Sequence, residues 1–258
     1  MKNHIIRIIR NAGKIAEDNF GKIHSVKEKA KKDLVTEVDF KIQKTIVAEI
    51  RKKYPSHSII AEEKDAEINT SNAGDSADVS KYVWYVDPLD GTHNYLYGIP
   101  IYGISISVFY NNKPKIGVIY LPHADELYFA EKGRGAFLNE KRIHVSRRNI
   151  SKAMILATSS ISTKKNEKIS TLSKVADKIF DYRAFGCATY ALTAVASGKA
   201  DAYILYDAKP WDIAAGFLIL EEAGGKITDT QGKEWSAEKK DFLATNGKIQ
   251  RELLKLIK

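Results

Sequence analysis

Cysteine is nearly absent: Cys187 is the only one in 258 residues, so no disulfide framework can form within the chain. Proline (6) and glycine (16) are too sparse for collagen-like or low-complexity architecture. No stretch approaches the ~18 apolar residues of a membrane span. Met1 to Arg10 interleaves its isoleucines with Lys2, Arg7 and Arg10, which breaks up any signal-peptide core. The expectation is a soluble, cytoplasmic protein. His4, His24, His57, His93, His123 and His144 show no metal-ligand spacing. With neither a Cys partner nor an evident base in its own motif, Cys187 reads as a buried or substrate-adjacent thiol rather than a nucleophile.

What is present is core material and positive charge. The chain is 44% hydrophobic and 10% aromatic. A chain of this length can bury roughly 70–75% of its unfolded surface, in one large core or two modest ones. The net charge of +9 attracts nucleic acid, anionic membrane surfaces or small phosphates alike. Its densest run, Lys22 to Lys32, has no interleaved aromatic residue and reads as a solvated loop or edge rather than a nucleic-acid surface.

Apolar periodicity predicts an amphipathic helix over 2–19, on Ile5, Ile8, Ile9, Ala12, Ile15 and Ala16, and a second after Thr36, on Val38, Ile42, Ile46, Val47 and Ile50. Ser58 to Ala61 is a short strand delivering Glu62 and Glu63. Residues 64–80, polar and without periodicity, read as a mobile surface loop. A strand-rich block follows, from Tyr82 to Leu138, in which Ile104, Ile106 and Val108 alternate with Ser105 and Ser107. Beyond about residue 150 helices and strands alternate. One helix carries Ile169, Leu172, Val175, Ala176 and Ile179, another Ala188 to Ala196, a third Ile213 to Glu222, and the last runs from Gln250 to Ile257. The expected class is a layered α+β fold of two lobes, 1–148 with an antiparallel sheet and 149–258 of smaller α/β form.

The densest chemical signal is Asp87-Pro88-Leu89-Asp90-Gly91-Thr92-His93-Asn94, directly after a buried strand. Pro88 biases Asp87 toward an extended shape, which aims two carboxylates at one point. The Gly-Thr step opens a helix whose free amides favour an anion. Acids beside a phosphate-sized anion are electrostatically reasonable only with cations between them, which points to oxygen-ligated Mg2+. Asp-Pro-x-Asp-Gly is also an ordinary turn composition. A second segment, Trp211-Asp212 to Gly225, starts a helix at an acid and ends it at paired glycines.

Together with Glu62-Glu63 and Asp33 to Asp39, these segments resemble, in order and along the whole chain, the motifs of the inositol monophosphatase family, within the superfamily that includes fructose bisphosphatases. The resemblance implies the αβαβα sugar-phosphatase fold and two or three Mg2+ ions. Glu62, Asp87 and the Leu89 carbonyl would hold one ion; Asp87, Asp90 and Asp212 would hold a second. Thr92 with Asp39 would orient and help deprotonate the attacking water, with Glu62 also catalytic. Asp90, Gly91, Thr92, Arg183, Gly186, Ala188 and Asp212 would contact substrate. On the residues alone, Asp39 is equally a helix first-turn acid and Thr92 a helix cap, while Glu63 reads as a solvent-facing neighbour.

The implied activity is hydrolysis of a small polyol or sugar phosphate, inositol 1-phosphate or fructose 1,6-bisphosphate, with lithium sensitivity and a homodimer. Leu205 stands seven residues before Asp212, where inositol-selective members carry a glutamate; Asp207 could take over that role. Adenosine 3′,5′-bisphosphate and histidinol phosphate are the alternative substrates. From a different class, the alternative is a non-catalytic basic protein binding nucleic acid or a partner on a relict phosphatase fold.

Overall fold

The computed structural model describes residues 1–22, 26–30, 33–63, 81–158, 163–235 and 239–258, with backbone alone for 26–30 and 33–35. The expected loop over 64–80 and the side chains of Lys27, Lys29, Lys31 and Lys32 lie outside the described residues.

Helices α1 (Lys2–Asn19) and α2 (Glu37–Lys53) form the first layer. Ile5, Ile8, Ile9, Ala12 and Ala16 of α1 and Val38, Ile42, Ile46, Val47 and Ile50 of α2 are buried, each at helical spacing. Between the helices lies a hairpin of β1 (Val26–Ala30) and β2 (Asp33–Thr36).

The second layer is a seven-stranded sheet: β3 (Ser58–Ala61), β4 (Tyr82–Asp90), β5 (Gly103–Tyr110), β6 (Lys113–Leu121), β7 (Glu126–Glu131), β8 (Ala136–Leu138) and β9 (Lys141–Arg142), in sequence order. The sheet is not wholly antiparallel as expected, because β3 runs parallel to β4. A parallel neighbour needs a long crossover rather than a tight turn, and residues 62–81 supply the length. Helix α3 (Thr92–Leu96) follows β4.

After residue 150 the chain builds a second, mixed sheet from β10 (Met154–Ala157), β11 (Asp181–Arg183), β12 (Ala202–Leu205), β13 (Lys226–Asp229) and β14 (Phe242–Thr245), in the order β11-β10-β12-β14-β13. Helices α5 (Ala188–Ala196) and α6 (Pro210–Glu222) lie between the sheets, their side chains in one cluster with Ile119 and Tyr128 of the first sheet and Tyr203 and Phe242 of the second. Helices α4 (Lys165–Val175) and α7 (Gln250–Ile257) close the outer face over Ile155, Ile204 and Leu243. The order is helices, sheet, helices, sheet, helices, the layered α+β architecture expected.

Ile104, Ile106 and Val108 of β5 face the first helical layer. The alternating Ser105 and Ser107 are buried, and the Ser105 hydroxyl donates to the Trp211 carbonyl at the start of α6. Small residues on this face let α6 sit close: a Cβ on Gly117 would lie 2.6 Å from the Ala215 carbonyl oxygen. Helix α4 departs from its sequence reading. It ends at Val175, and Ile169 and Leu172 are exposed while Lys168, Thr171 and Val175 face inward.

Candidate active site

In a regular strand, residues three apart point to opposite faces. Asp87 and Asp90 escape this because β4 carries a bulge between them: Asp87 is opposite Ser105 and Asp90 opposite Gly103, so three steps on β4 match two on β5. The bulge turns both carboxylates toward α5 and α6. Pro88, which cannot donate to a ladder, sits inside it.

The parallel pairing of β3 sets Ala61 beside Val86, and the Glu62 N–H continues it to the Val86 carbonyl at 3.2 Å. Glu62 thereby arrives next to Asp87. Burial first, then the charges of Glu62, Asp90 and Asp212, push the Asp87 carboxyl well above its ordinary range. Asp212 is raised by burial and by Glu62 and Asp90. The same desolvation raises Asp90, opposed by donors from Thr189 and Cys187. These shifts place Glu62, Asp87, Asp90 and Asp212 in one electrostatic cluster.

Three of the acids, Asp87, Asp90 and Asp212, are also held by protein donors. The Leu89 N–H donates to Asp87 at 3.0 Å. Asp90 Oδ2 accepts the Thr189 N–H at 2.6 Å, the Thr189 hydroxyl at 2.7 Å and the Cys187 thiol at 3.1 Å, all at the start of α5. Asp212, third residue of α6, accepts the Lys209 N–H at 3.0 Å. Cys187 is a buried thiol against the acids, and burial pushes its own ionisation up, away from nucleophile behaviour.

Thr92 and Asp39 do come together. The Thr92 hydroxyl lies 3.3 Å from Asp39 Oδ1 and 3.0 Å from the Leu89 carbonyl, two acceptors for one proton. The other Asp39 oxygen takes the Thr36 N–H at 3.0 Å and the Thr36 hydroxyl, closing the capping box of α2. Asp39 is therefore both a capping acid and a partner of Thr92. It is 1% exposed, and burial pushes its pKa up to about 6. Gly91, at φ +88°, turns the chain into α3; a Cβ there would lie 2.9 Å from the Ile101 carbonyl.

Asp90, Asp212, Gly186 and Ala188 line one cavity of about 240 Å3, together with Leu205 and Asp207. Arg183 does not: it sits exposed on edge strand β11, ion-paired to Asp181. Glu63 is 1% exposed rather than solvent-facing, its backbone N–H and carbonyl bonded to the Gln43 amide.

Sequence reasoning gave no role to Asn94, whose amide donates to the Phe185 carbonyl at 2.6 Å and so ties the first motif to the segment before Gly186. Thr189 was also missed, as were Lys168 and Tyr206 of the cavity wall. No local signal marks Asn94 or Thr189, because their partners Phe185 and Asp90 are distant in sequence.

The candidate donors are all oxygen, four carboxylates and the Leu89 carbonyl, which suits a hard cation such as Mg2+. Among the described residues no three acids converge at ligand distance as they stand; Asp87, Asp90 and Asp212 lean on protein partners instead. Burial first, and then the neighbouring carboxylate charges, raise Asp87, Asp90 and Asp212; a cation relieves that cost, and the donor set fits the ion.

Similarity to known proteins agrees with this chemistry. The family model described as "Inositol monophosphatase family" matches residues 1–258. A Thermotoga maritima protein named fructose-1,6-bisphosphatase/inositol-1-monophosphatase is 36% identical over 98% of this chain and 93% of its own length. The Nus factor SuhB of Pseudomonas aeruginosa is 35% identical over 100% of this chain and 95% of its own. Among solved structures, the extragenic suppressor protein SuhB of Bartonella henselae aligns at TM-score 0.92 and 33% identity, covering 100% and 98% of the two chains. One titled as an IMPase/NADP phosphatase complexed with Mg2+ and phosphate aligns at TM-score 0.78 and 30% identity, covering 90% and 85%. The acid cluster, the five-layered fold and the full-length family match lead to one conclusion: the chain belongs to the inositol monophosphatase family.

Proposed function

We propose that the protein is a Mg2+-dependent phosphomonoesterase acting on a small polyol or sugar phosphate, inositol 1-phosphate or fructose 1,6-bisphosphate. The observation that carries this reading is the β4 bulge, which turns Asp87 and Asp90 toward Asp212 and Glu62 at the edge of a small cavity. Glu62, Asp87, Asp90, Asp212 and the Leu89 carbonyl would hold two or three ions. Mg2+ bound there supplies Lewis-acid chemistry: it lowers the pKa of a water and offsets charge on the ester oxygens.

The protein's own part is proton handling and positioning. The Thr92 hydroxyl, donating to Asp39, keeps a lone pair for the attacking water and passes its proton toward the carboxylate. A base near pKa 6 is mostly ionised at neutral pH yet still basic enough to share that proton. Thr189 and Cys187 fix the direction of Asp90, and Lys209 that of Asp212. Gly186 and Ala188 offer backbone to the polyol, and Asp207 takes the place of the absent glutamate at Leu205. The division into lobes 1–148 and 149–258, a homodimer and lithium inhibition belong to the same proposal.

The test is phosphate release from inositol 1-phosphate, fructose 1,6-bisphosphate, adenosine 3′,5′-bisphosphate and histidinol phosphate, with Mg2+, with EDTA and with Li+. Turnover that EDTA and Asp90→Asn both abolish is the expected result. The relatives named Nus factor support a second reading, binding to a partner. No turnover on any ester, with tight salt-sensitive RNA binding, would favour it.

A further inference from the structure

Glu62 is placed through its backbone, and the placement draws on a residue of another element. Its N–H reaches the Val86 carbonyl at 3.2 Å, one step past the last paired residues of β3 and β4. From Asp87 onward β4 enters its bulge, and the pairing with β3 stops. Glu63 is nonetheless 1% exposed, and a buried backbone N–H and carbonyl each require a partner. The Gln43 amide supplies both: Oε1 accepts the Glu63 N–H at 2.9 Å, and Nε2 donates to the Glu63 carbonyl at 2.6 Å. Gln43 is itself 0% exposed. One side chain thus stands in for the strand that β3 lacks at this point.

The consequence falls on Glu62. Peptide units are planar, so holding the planes on either side of a residue fixes the direction in which its side chain leaves the backbone. The plane before Glu62 is held by Val86; the plane after it, which carries the Glu63 N–H, is held by Gln43. Gln43 lies four residues after Asp39 on α2, about 6 Å along the helix axis and on the same face. That face therefore carries both the partner of Thr92 and the anchor of the segment bearing Glu62.

We propose that Gln43 is a positioning residue for metal binding: it aims Glu62 at the ion site and sets it at a fixed distance from Asp39. This rests on the phosphatase reading above. Both kinds of polar group on Gln43 are engaged by Glu63, so Gln43 acts through Glu62 and not as a ligand. Removing a group that orients a metal ligand costs about 10- to 100-fold in affinity.

The experiment is calorimetric titration of the metal-free protein with Mg2+ alone, for the wild type, Gln43→Met, Gln43→Asn and Ile46→Val. Methionine keeps the volume and removes both polar groups. Asparagine keeps both on an arm one methylene shorter, and it carries the test if the methionine variant does not fold. Ile46→Val trims the core on the same buried face of α2 and is the control for lost packing. The expected result is a Kd for Mg2+ raised about 10- to 100-fold in Gln43→Met, raised less in Gln43→Asn and within about 2-fold of wild type in Ile46→Val. Turnover of inositol 1-phosphate by Gln43→Met then recovers as Mg2+ is raised, with KM for the ester within about 2-fold of wild type. Wild-type Mg2+ affinity in a Gln43 variant that melts lower, or an equal loss of affinity in Ile46→Val, makes Gln43 a packing residue only; it overturns the proposal and leaves the phosphatase reading intact. A wild type that binds no Mg2+ overturns both.

Discussion

Gly117→Ala tests how the sheet positions the site. Gly117 lies on β6, where α6 crosses, and a Cβ there would sit 2.6 Å from the Ala215 carbonyl oxygen and 3.1 Å from its Cα. That is about 0.8 Å short of ordinary contact, and the neighbour is backbone, with no rotamer to give. Two effects compete. Replacing glycine in an ordinary strand conformation stabilises by about 0.4–1 kcal/mol through the unfolded chain. Overpacking costs about 1–3 kcal/mol. Overpacking wins by about 1–2 kcal/mol, and a chain of this size then melts about 2–8 °C lower. Helix α6 has to move, and its first turn carries Asp212, so turnover falls as well; a misplacement near 1 Å can cost about 100-fold. Thermal unfolding and Mg2+-dependent phosphate release are the assays. Ala215→Gly does not rescue the variant, because the clash is with the carbonyl. Gly216→Ala behaves differently: its Cβ would meet the Leu192 side chain, Cδ1 at 2.5 Å and Cβ at 2.9 Å, so Leu192→Ala relieves that clash in part by removing Cγ and Cδ1. A Gly117→Ala protein that melts and turns over like the wild type, or is restored by Ala215→Gly, refutes the reasoning.

Two further outcomes follow from the acids. The pKa of Asp39 is about 6 in the folded protein against 3.8 as its ordinary value, so the folded state binds the proton more tightly. Its contribution to stability is complete below pH 3.8 and lost as pH rises through about 6. In urea unfolding without metal, Asp39→Asn should match the wild type near the acid end and exceed it by up to about 3 kcal/mol near neutrality, while losing turnover; a constant difference across pH contradicts this. Mg2+ should raise the melting temperature of the wild type, by about 2.7 kcal/mol of stability at a hundredfold excess over its Kd, with EDTA reversing it. Asp87→Asn should melt higher without metal and respond little to Mg2+. An unchanged Mg2+ response in that variant removes Asp87 from the ligand set.

How far the sequence foretold this molecule depended on the range of the interaction. Helices α1 and α2 were legible because their buried residues recur every turn. The first motif announced its acids, but not the bulge that brings Asp87 and Asp90 to one face, since a register shift is a property of two strands. In α4, composition misled. Ile169 and Leu172 drew the eye to one stripe, while the inward face carries Lys168 because a polar cavity borders it. Glu63 looked solvent-facing because its partner Gln43 is on another element. Strands β11, β13 and β14, of three or four residues each, are too short to show a period of two against their surroundings.

The three donors that meet Asp90 bear on how such proteins age. Asn at position 87 or 39 keeps a side-chain oxygen for the local N–H and sheds a buried charge. Asn at 90 trades an ionic acceptor for a neutral one where α5 begins. In a lineage that kept this architecture but abandoned hydrolysis, positions 87 and 39 would drift first and Asp90 last. Telling an enzyme from a retired one in this family therefore rests on Asp87 and Asp39. A surviving Asp90 records only that α5 is still fastened down.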